Sequence, residues 1–319
     1  MVDTFAARIH ERYPEGLTGI FAIGGTRTTY ILEQNRAKSD PGHIENFAQH
    51  GQYLQQRYMA FISTFFELGG RNMIITASSF RGFTERGEEY AALVNKEMLR
   101  LIDDDFQTFY REQNVDPYFI GIDTFLHLPA SHPAHQMALE LQQFQDNWPY
   151  DSRRNRLIWE IASIPLYTLW QMFQTMSPET RQQLDTQLAQ ITKMDEMHAM
   201  LYSHFAREIY GVDVAMPHFY LGTNKSGDLK WRSPMPIFLS GGEHMRMFYT
   251  PYPTLFTTRS TMQAILEDLA FGKRFYSVQT DYQGRYTSEL AQAEYERIQT
   301  LSDDPTTTVG FSRKVPTRD

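Results

Sequence analysis

The sequence predicts one α/β domain, a parallel central sheet with helices on both faces. Three observations carry this expectation. Short apolar runs alternate with longer stretches of helical periodicity, turn signals stop each run, and the composition supplies a sizeable core. Of 319 residues, 41 % are apolar and 14 % aromatic, which excludes a disordered chain. No internal repeat or low-complexity segment divides the chain. Residues 1–319 are therefore read as a single domain, with an N-terminal helix within 1–17 and a tail over 287–319.

The elements follow in order. The amphipathic stretch Met1–Tyr13 stops at Pro14 and predicts a helix. Thr18–Ile23 is an apolar run halted by Gly24-Gly25, a buried strand feeding a tight loop. Ala37–His43 reads as a loop. Ile44–Leu68 has apolar residues at helical spacing and ends at Gly69-Gly70, as a C-cap would. Asn72–Thr76 is the next strand, followed by the loop Ala77–Phe83. Glu85–Arg111 reads as one long helix running through a break at Asp103-Asp104-Asp105. Tyr118–Ile122 is a third strand followed by a Pro-rich turn, and Leu157–Ala162 a fourth. Pro165–Met176, Pro178–Met194 and Asp195–Tyr210 read as helices, Val212–Leu221 and Met245–Thr250 as strands, and Arg259–Phe271 as a helix. The tail from Thr287 holds one more short helix before polar coil. Alternation of this kind implies parallel strands with helical crossovers. Ligands of such sheets sit beyond the carboxyl ends of the strands.

Bulk properties narrow the function classes. A net charge of −8 argues against nucleic acid or an anionic membrane as a broad partner. With no cysteine, disulfides, thiolate catalysis and cysteine-ligated zinc are excluded. Met1–Arg12 carries charges throughout, and no apolar run reaches the ~18–20 residues of a membrane span, so a cytoplasmic location without stable membrane insertion is expected.

The strongest chemical candidate is Gly24-Gly25-Thr26-Arg27-Thr28-Thr29. Paired glycines let backbone approach an anion, threonine hydroxyls add donors, and Arg27 offers a planar fork suited to phosphate. A tight strand-to-helix turn with an exposed arginine fits the same letters. Ser78 and Ser79, with Arg81, follow the second strand and can face the same cleft or simply cap a helix. The basic and aromatic stretch Lys225–Arg246 holds Lys230, Arg232, Glu243 and His244, cations of which one or two can close over a diphosphate. His43 and His50 precede the aromatic helix, and a histidine there can take a proton from water. The run Asp103–Asp105 reads as a solvated helix face. The stripe Tyr53–Phe66 serves as core or as the wall of an apolar tunnel whose rings stabilise a cation.

In this order the features resemble the cis-prenyl diphosphate synthases. Phe21-Ala22-Ile23-Gly24-Gly25-Thr26-Arg27 is similar to that family's diphosphate loop, Asp-Gly-Asn-Gly-Arg after an apolar strand. It is nearer to a branch that reads Asp-Gly-Thr-Arg, which includes tuberculosinol/tuberculosinyl adenosine synthase and kolavelool synthase. Phe65-Phe66-Glu67-Leu68-Gly69, Arg86-Gly87-Glu88-Glu89-Tyr90, Phe109-Tyr110-Arg111-Glu112, Phe248-Tyr249-Thr250 and Val309-Gly310 also resemble family segments in order. The likeness spans most of the chain, loosely between Ala130 and Val212.

The resemblance implies a cis-prenyltransferase-like fold, a homodimer and an allylic prenyl diphosphate substrate. Gly24, Gly25, Thr26, Arg27, Thr28, Thr29, Ser78, Ser79 and Arg246 would bind the diphosphate, Ser78 and Ser79 near the pocket mouth. His50 and Tyr53 fall where the branch places a tyrosine. Mg2+ is expected from the family, yet Gly24 replaces the loop aspartate that helps to hold it, Thr28 replaces a second loop arginine, and Arg246 lies near the position of a further carboxylate. Glu243 is the remaining candidate ligand.

The function expected is that of a diterpene synthase. It would ionise a bicyclic allylic diphosphate such as kolavenyl diphosphate and capture the cation with water to give an alcohol. Prenyl transfer to a nucleoside or other small acceptor is the alternative enzyme reading. A non-catalytic prenyltransferase-like subunit is the alternative from another class.

Overall fold

In the computed structural model, residues 4–34, 44, 46–84, 87–223, 231–241, 245–272 and 288–303 are described. Six strands form one sheet in the order β3-β4-β2-β1-β5-β6, and each pairing is parallel. The strands are β1 Leu17–Phe21, β2 Gly70–Ser78, β3 Val115–Ile120, β4 Asn155–Ile161, β5 Phe219–Thr223 and β6 Arg246–Thr250. Helices α1 Phe5–Arg12, α2 Thr26–Gln34, α3 Phe47–Glu67, α4 Phe80–Thr84, α5 Glu88–Leu99, α6 Asp104–Glu112, α7 Asp123–Leu126 and α8 Pro133–Asn147 surround the first three strands in sequence. After β4 come α9 Pro165–Thr175, α10 Pro178–Leu188 and α11 Met194–Tyr210. Helix α12 Pro234–Ser240 joins β5 to β6, and α13 Arg259–Phe271 and α14 Ser288–Asp303 close the described chain.

Both faces of the sheet are buried, so its strands are apolar at successive positions. Phe21, Met73, Ile75, Leu157 and Trp159 pack on one side with Phe61 and Phe65 of α3 and Phe106 and Tyr110 of α6. Ile20, Ala22, Ile74, Ile158 and Tyr220 pack on the other with Tyr202 and Tyr210 of α11 and Met235 of α12. The chain leaves β1 towards β2 and returns on the opposite side as β5. This reversal makes the carboxyl ends of β1 and β5 a topological switch point.

Several expected elements change in form. The long helix over Glu85–Arg111 is α5, a 3-10 turn Arg100–Ile102 and α6. Asp103 leaves the helical conformation at ψ 170° and caps α6, its carboxylate accepting from Phe106 N–H at 2.9 Å and from Gln55 Nε2 at 3.0 Å. It is a structural cap, where the sequence predicts a solvated face. The Pro-rich turn after β3 contains α8, because Pro133 occupies the first helical position, where its missing N–H costs nothing. Pro217 shortens the expected strand Val212–Leu221 to start at Phe219.

One buried carboxylate fastens the edge of the sheet. Asp116, 1 % exposed on β3, accepts from Trp148 Nε1 and Asp151 N–H at 2.9 Å each and from Arg154 Nη1 at 3.2 Å. Asp116→Ala strips the acceptor from three donors at once and is expected to cost about 3 kcal/mol in urea unfolding. A loss under about 1 kcal/mol would show the three donors to be satisfied elsewhere.

Candidate active site

The corner after β1 is fastened on two sides. Gly24 donates its N–H to Thr254 Oγ1 and accepts at its carbonyl from Thr254 N–H, both at 3.2 Å. Thr254 Oγ1 in turn bonds Thr223 Oγ1 at the end of β5. Gly25 has φ +76°, and a Cβ there would stand 2.9 Å from Pro253 Cβ, so both its conformation and its surroundings require glycine. The Gly25 carbonyl accepts from Thr29 N–H at 2.8 Å and from Thr29 Oγ1 at 3.1 Å. This seats the first turn of α2 directly behind the corner, where the orphan N–H groups and positive end of a helix favour an anion.

Within this segment the side chains divide. Arg27 is exposed, while Thr26 and Thr28 are half-buried. Thr29 is fully buried and its hydroxyl is committed to Gly25, so it builds the corner instead of facing a ligand. Gly24 faces a cation: the Nη1 of Arg232 lies 3.1 Å from the point where a Cβ on Gly24 would sit, with Thr223 Oγ1 at 3.3 Å.

That arrangement decides the fit of a loop-bound magnesium ion. A guanidinium occupies the space into which an aspartate at position 24 would project, and no cluster of three or more histidine, aspartate or glutamate residues able to hold a metal occurs among the described residues. The residues at the corner do not fit Mg2+. Glu243, with Lys225, Lys230, His244 and His43, lies outside the described residues.

An apolar cavity of about 170 Å3 opens beside the corner. Ile23 and Thr26 stand at one end; Leu54, Tyr58, Met98, Phe106 and Trp159 form its walls. Polar groups line it as well, Gln55, Glu97 and Arg100 among them. Glu97 and Arg100 pair there at 3.1 Å, close against Gly51, where a Cβ would come within 2.4 Å of Glu97 Oε2. The aromatic stripe of α3 is thus core on one edge and cavity wall on another.

His50 and Tyr53 face α2, and neither is among the residues lining this cavity. The His50 ring packs edge-on against Tyr30 with centroids 5.0 Å apart, and its buried Nε2 has no hydrogen-bond partner among the described residues. Burial, reinforced by the Arg27 charge, holds its pKa below the ordinary histidine value and keeps the imidazole neutral. Tyr53 donates its hydroxyl to Glu33, which also pairs with Arg57 at 3.4 Å. Burial and that carboxylate push the phenol above its usual range, so Tyr53 is a poor acid.

Ser78 ends β2, one strand from β1, and Ser79 opens the turn into α4, so both stand at the carboxyl edge near the corner. Arg246 does not. It opens β6 at the amino end of the sheet, in register with Phe219 and hence with Gly19, and pairs with Asp268 at 2.6 Å. Parallel pairing places the first residue of a strand far from a loop that follows its neighbours' last residues. The sequence by itself does not single out Thr254, Thr223 and Pro253. Only the threonine and proline content of Thr250–Thr254 marks Thr254 and Pro253, nothing marks Thr223, and nothing local shows that this turn reaches across β5.

No protein-family model matches the sequence, and no curated protein matches it. Solved structures do match in fold. The crystal structure of lavandulyl diphosphate synthase from Lavandula x intermedia in complex with dimethylallyl diphosphate is similar at 12 % identity and a TM-score of 0.52, over 81 % of this chain and 97 % of that one. A probable undecaprenyl diphosphate synthase from Campylobacter jejuni gives 11 % identity and a TM-score of 0.46 over the same shares. The first likeness shows that this chain shares the fold of that synthase, a parallel sheet with helices on both faces, as the sequence predicts. Among the described residues no helix is long and apolar enough to cross a membrane.

The geometry around His50 is testable by NMR. Its imidazole is expected to titrate below the ordinary ~6.5, and to move back towards that value in Arg27→Ala. Because the folded value is depressed, the stability that depends on a neutral His50 is present above ~6.5 and declines as pH falls below it. An unshifted titration in the parent chain would overturn the burial of the ring, and one unchanged by Arg27→Ala would remove Arg27 from its vicinity.

Proposed function

We propose that the chain is an enzyme that ionises an allylic prenyl diphosphate and captures the resulting cation with water. The observation that carries this reading is a fixed glycine corner, flanked by Arg27 and Arg232, whose neighbours Ile23 and Thr26 line a cavity walled by Tyr58, Phe106 and Trp159. An anionic head and an apolar tail require this pairing of sites. The diphosphate would rest on Gly24, Gly25 and Thr26 at the start of α2, with Thr28, Ser78 and Ser79 at the rim. Arg27 and Arg232 would neutralise the charge that accumulates as the C1–O bond breaks and its electron pair leaves with the diphosphate. The allylic cation is then held against the rings of Tyr58, Phe106 and Trp159. Water adds to it and gives up a proton, for which neutral His50, beside Arg27 and hence near the head group, is the acceptor. The products are an alcohol and free diphosphate. Tyr53 takes a structural role, orienting α2 through Glu33.

Kolavenyl diphosphate, a bicyclic diterpenyl substrate, is proposed from the sequence resemblance, as is assembly into a homodimer. One observation favours a second reading of the tail. A cavity of about 170 Å3 is small beside the ~300–1,000 Å3 of typical ligand sites, which favours a shorter allylic chain.

Incubation with dimethylallyl, geranyl and kolavenyl diphosphates, each with Mg2+ and with EDTA, tests the reading. The expected result is diphosphate release and an alcohol product that persists in EDTA, and the chain length giving the highest kcat/KM decides between the two tails. Arg27→Ala is expected to lower kcat by about 10²-fold with little change in melting temperature. Intact diphosphate in every incubation would overturn the proposal, and release that requires Mg2+ would overturn its metal-free form.

A further inference from the structure

Glu160 is a buried carboxylate that the proposed reaction does not use. It lies on β4 in register with Thr76 of β2 and Ile120 of β3, 1 % exposed, on the sheet face covered by α11 and α12. A charge in such a place persists only where hydrogen bonds compensate its lost hydration. Its Oε2 accepts from Ser233 Oγ, and its Oε1 accepts from Met235 N–H at 3.0 Å. Both oxygens are therefore spent on the turn that opens α12, directly after Arg232. The N–H of Arg232 is donated to Tyr220 Oη at 3.3 Å, and its guanidinium reaches the space over Gly24.

We propose that Glu160 is a positioning residue whose ionised carboxylate holds the Arg232–Met235 turn against the sheet, keeping the Arg232 guanidinium over Gly24 to meet a bound diphosphate. The inference rests on the reading of the Gly24 corner as a diphosphate site. An ionised carboxylate offers acceptors only, which suits a hydroxyl and an amide N–H together; a protonated one presents a donor to Ser233 and forces that hydroxyl to turn. Burial pushes Glu160 up to about 7, so the hold tightens above neutrality and loosens below it.

Among the described residues, none of the groups around it is a cation in direct contact. Thr76 and Ser163 turn hydroxyls towards it without a geometrically sound hydrogen bond, and Tyr210 of α11 and Tyr220 of β5 are kept protonated, in part by its charge. Asp123, Asp146 and Glu208 line the neighbouring cavity that Ser163 and Met235 also line, and burial is what raises Glu160, against the hydrogen bonds that lower it.

Inorganic pyrophosphate binding to the full chain, measured by calorimetry at pH 6 and pH 8, tests the proposal beside hydrogen–deuterium exchange of residues 235–240. Glu160→Met is expected to bind about tenfold more weakly than the parent at pH 8 and to exchange faster in α12, the loss of one charge-assisted hold. Glu160→Gln, which mimics the protonated acid, is expected to be weaker at pH 8 and equal to the parent at pH 6. Ser233→Ala is expected to follow Glu160→Met. Comparing variants at one pH cancels the titration of pyrophosphate itself, and unchanged circular dichroism of Glu160→Gln separates positioning from folding. Parent-like affinity and exchange in Glu160→Met would overturn the proposal. If the parent binds no pyrophosphate at either pH, the diphosphate reading fails and the role given to Arg232 fails with it, whereas faster exchange in Glu160→Met supports the hold on α12 by itself.

Discussion

The reciprocal hydrogen bonds between Gly24 and Thr254 fix the geometry on which the site depends. They bind the end of a central strand to a turn that has crossed over β5, and they leave no freedom at Gly25, pressed against Pro253 in a left-handed conformation. A corner so fixed aims the first turn of α2 at one point in space. It also sets the mouth of the cavity, because Ile23 and Thr26, on either side of the two glycines, are both part of its lining. The parallel topology contributes the rest: β1 and β5 end side by side where the chain reverses direction, so backbone and side chains from distant segments meet there.

Among the described residues, the charged side chains beside the Gly24 corner are the cations Arg27 and Arg232. Relatives of the branch this sequence resembles carry an aspartate at the loop; here the equivalent space belongs to a guanidinium. An arginine has a permanent charge and a planar donor set, so it can meet a diphosphate without a bridging ion. The cost moves elsewhere. A long, exposed side chain has to be held in one place, and the buried contacts of Ser233 and Met235 with Glu160 supply the rigid base from which it extends.

The sheet was legible because a strand buried on both faces writes itself as an uninterrupted apolar run, as in Ile20-Phe21-Ala22-Ile23 and Met73-Ile74-Ile75. The fold class followed from their alternation with helices. Helix boundaries were less legible where one residue overrode periodicity: Asp103 turns a continuous helical pattern into two helices, and Pro133 starts a helix inside what reads as a turn. At the site, the glycines and Arg27 announce themselves locally. Thr254, Thr223 and Pro253 do not, since their role is a contact across some 230 residues of chain. Arg246 misled for the converse reason: its position beside the Phe-Tyr-Thr segment was right in sequence, but the segment enters the sheet from the wrong end. Glu160 could not have been read at all, as a lone acid in a β-strand says nothing of what covers it.

The closeness of Arg232 to Gly24 has a consequence for how this site can change over generations. A single substitution of Gly24 to aspartate would set a carboxylate against the guanidinium, and the two would neutralise each other. Neither a metal-holding loop nor a cationic one would result. Positions 24 and 232 are therefore coupled, since what a side chain at 24 can do depends on the guanidinium that faces it.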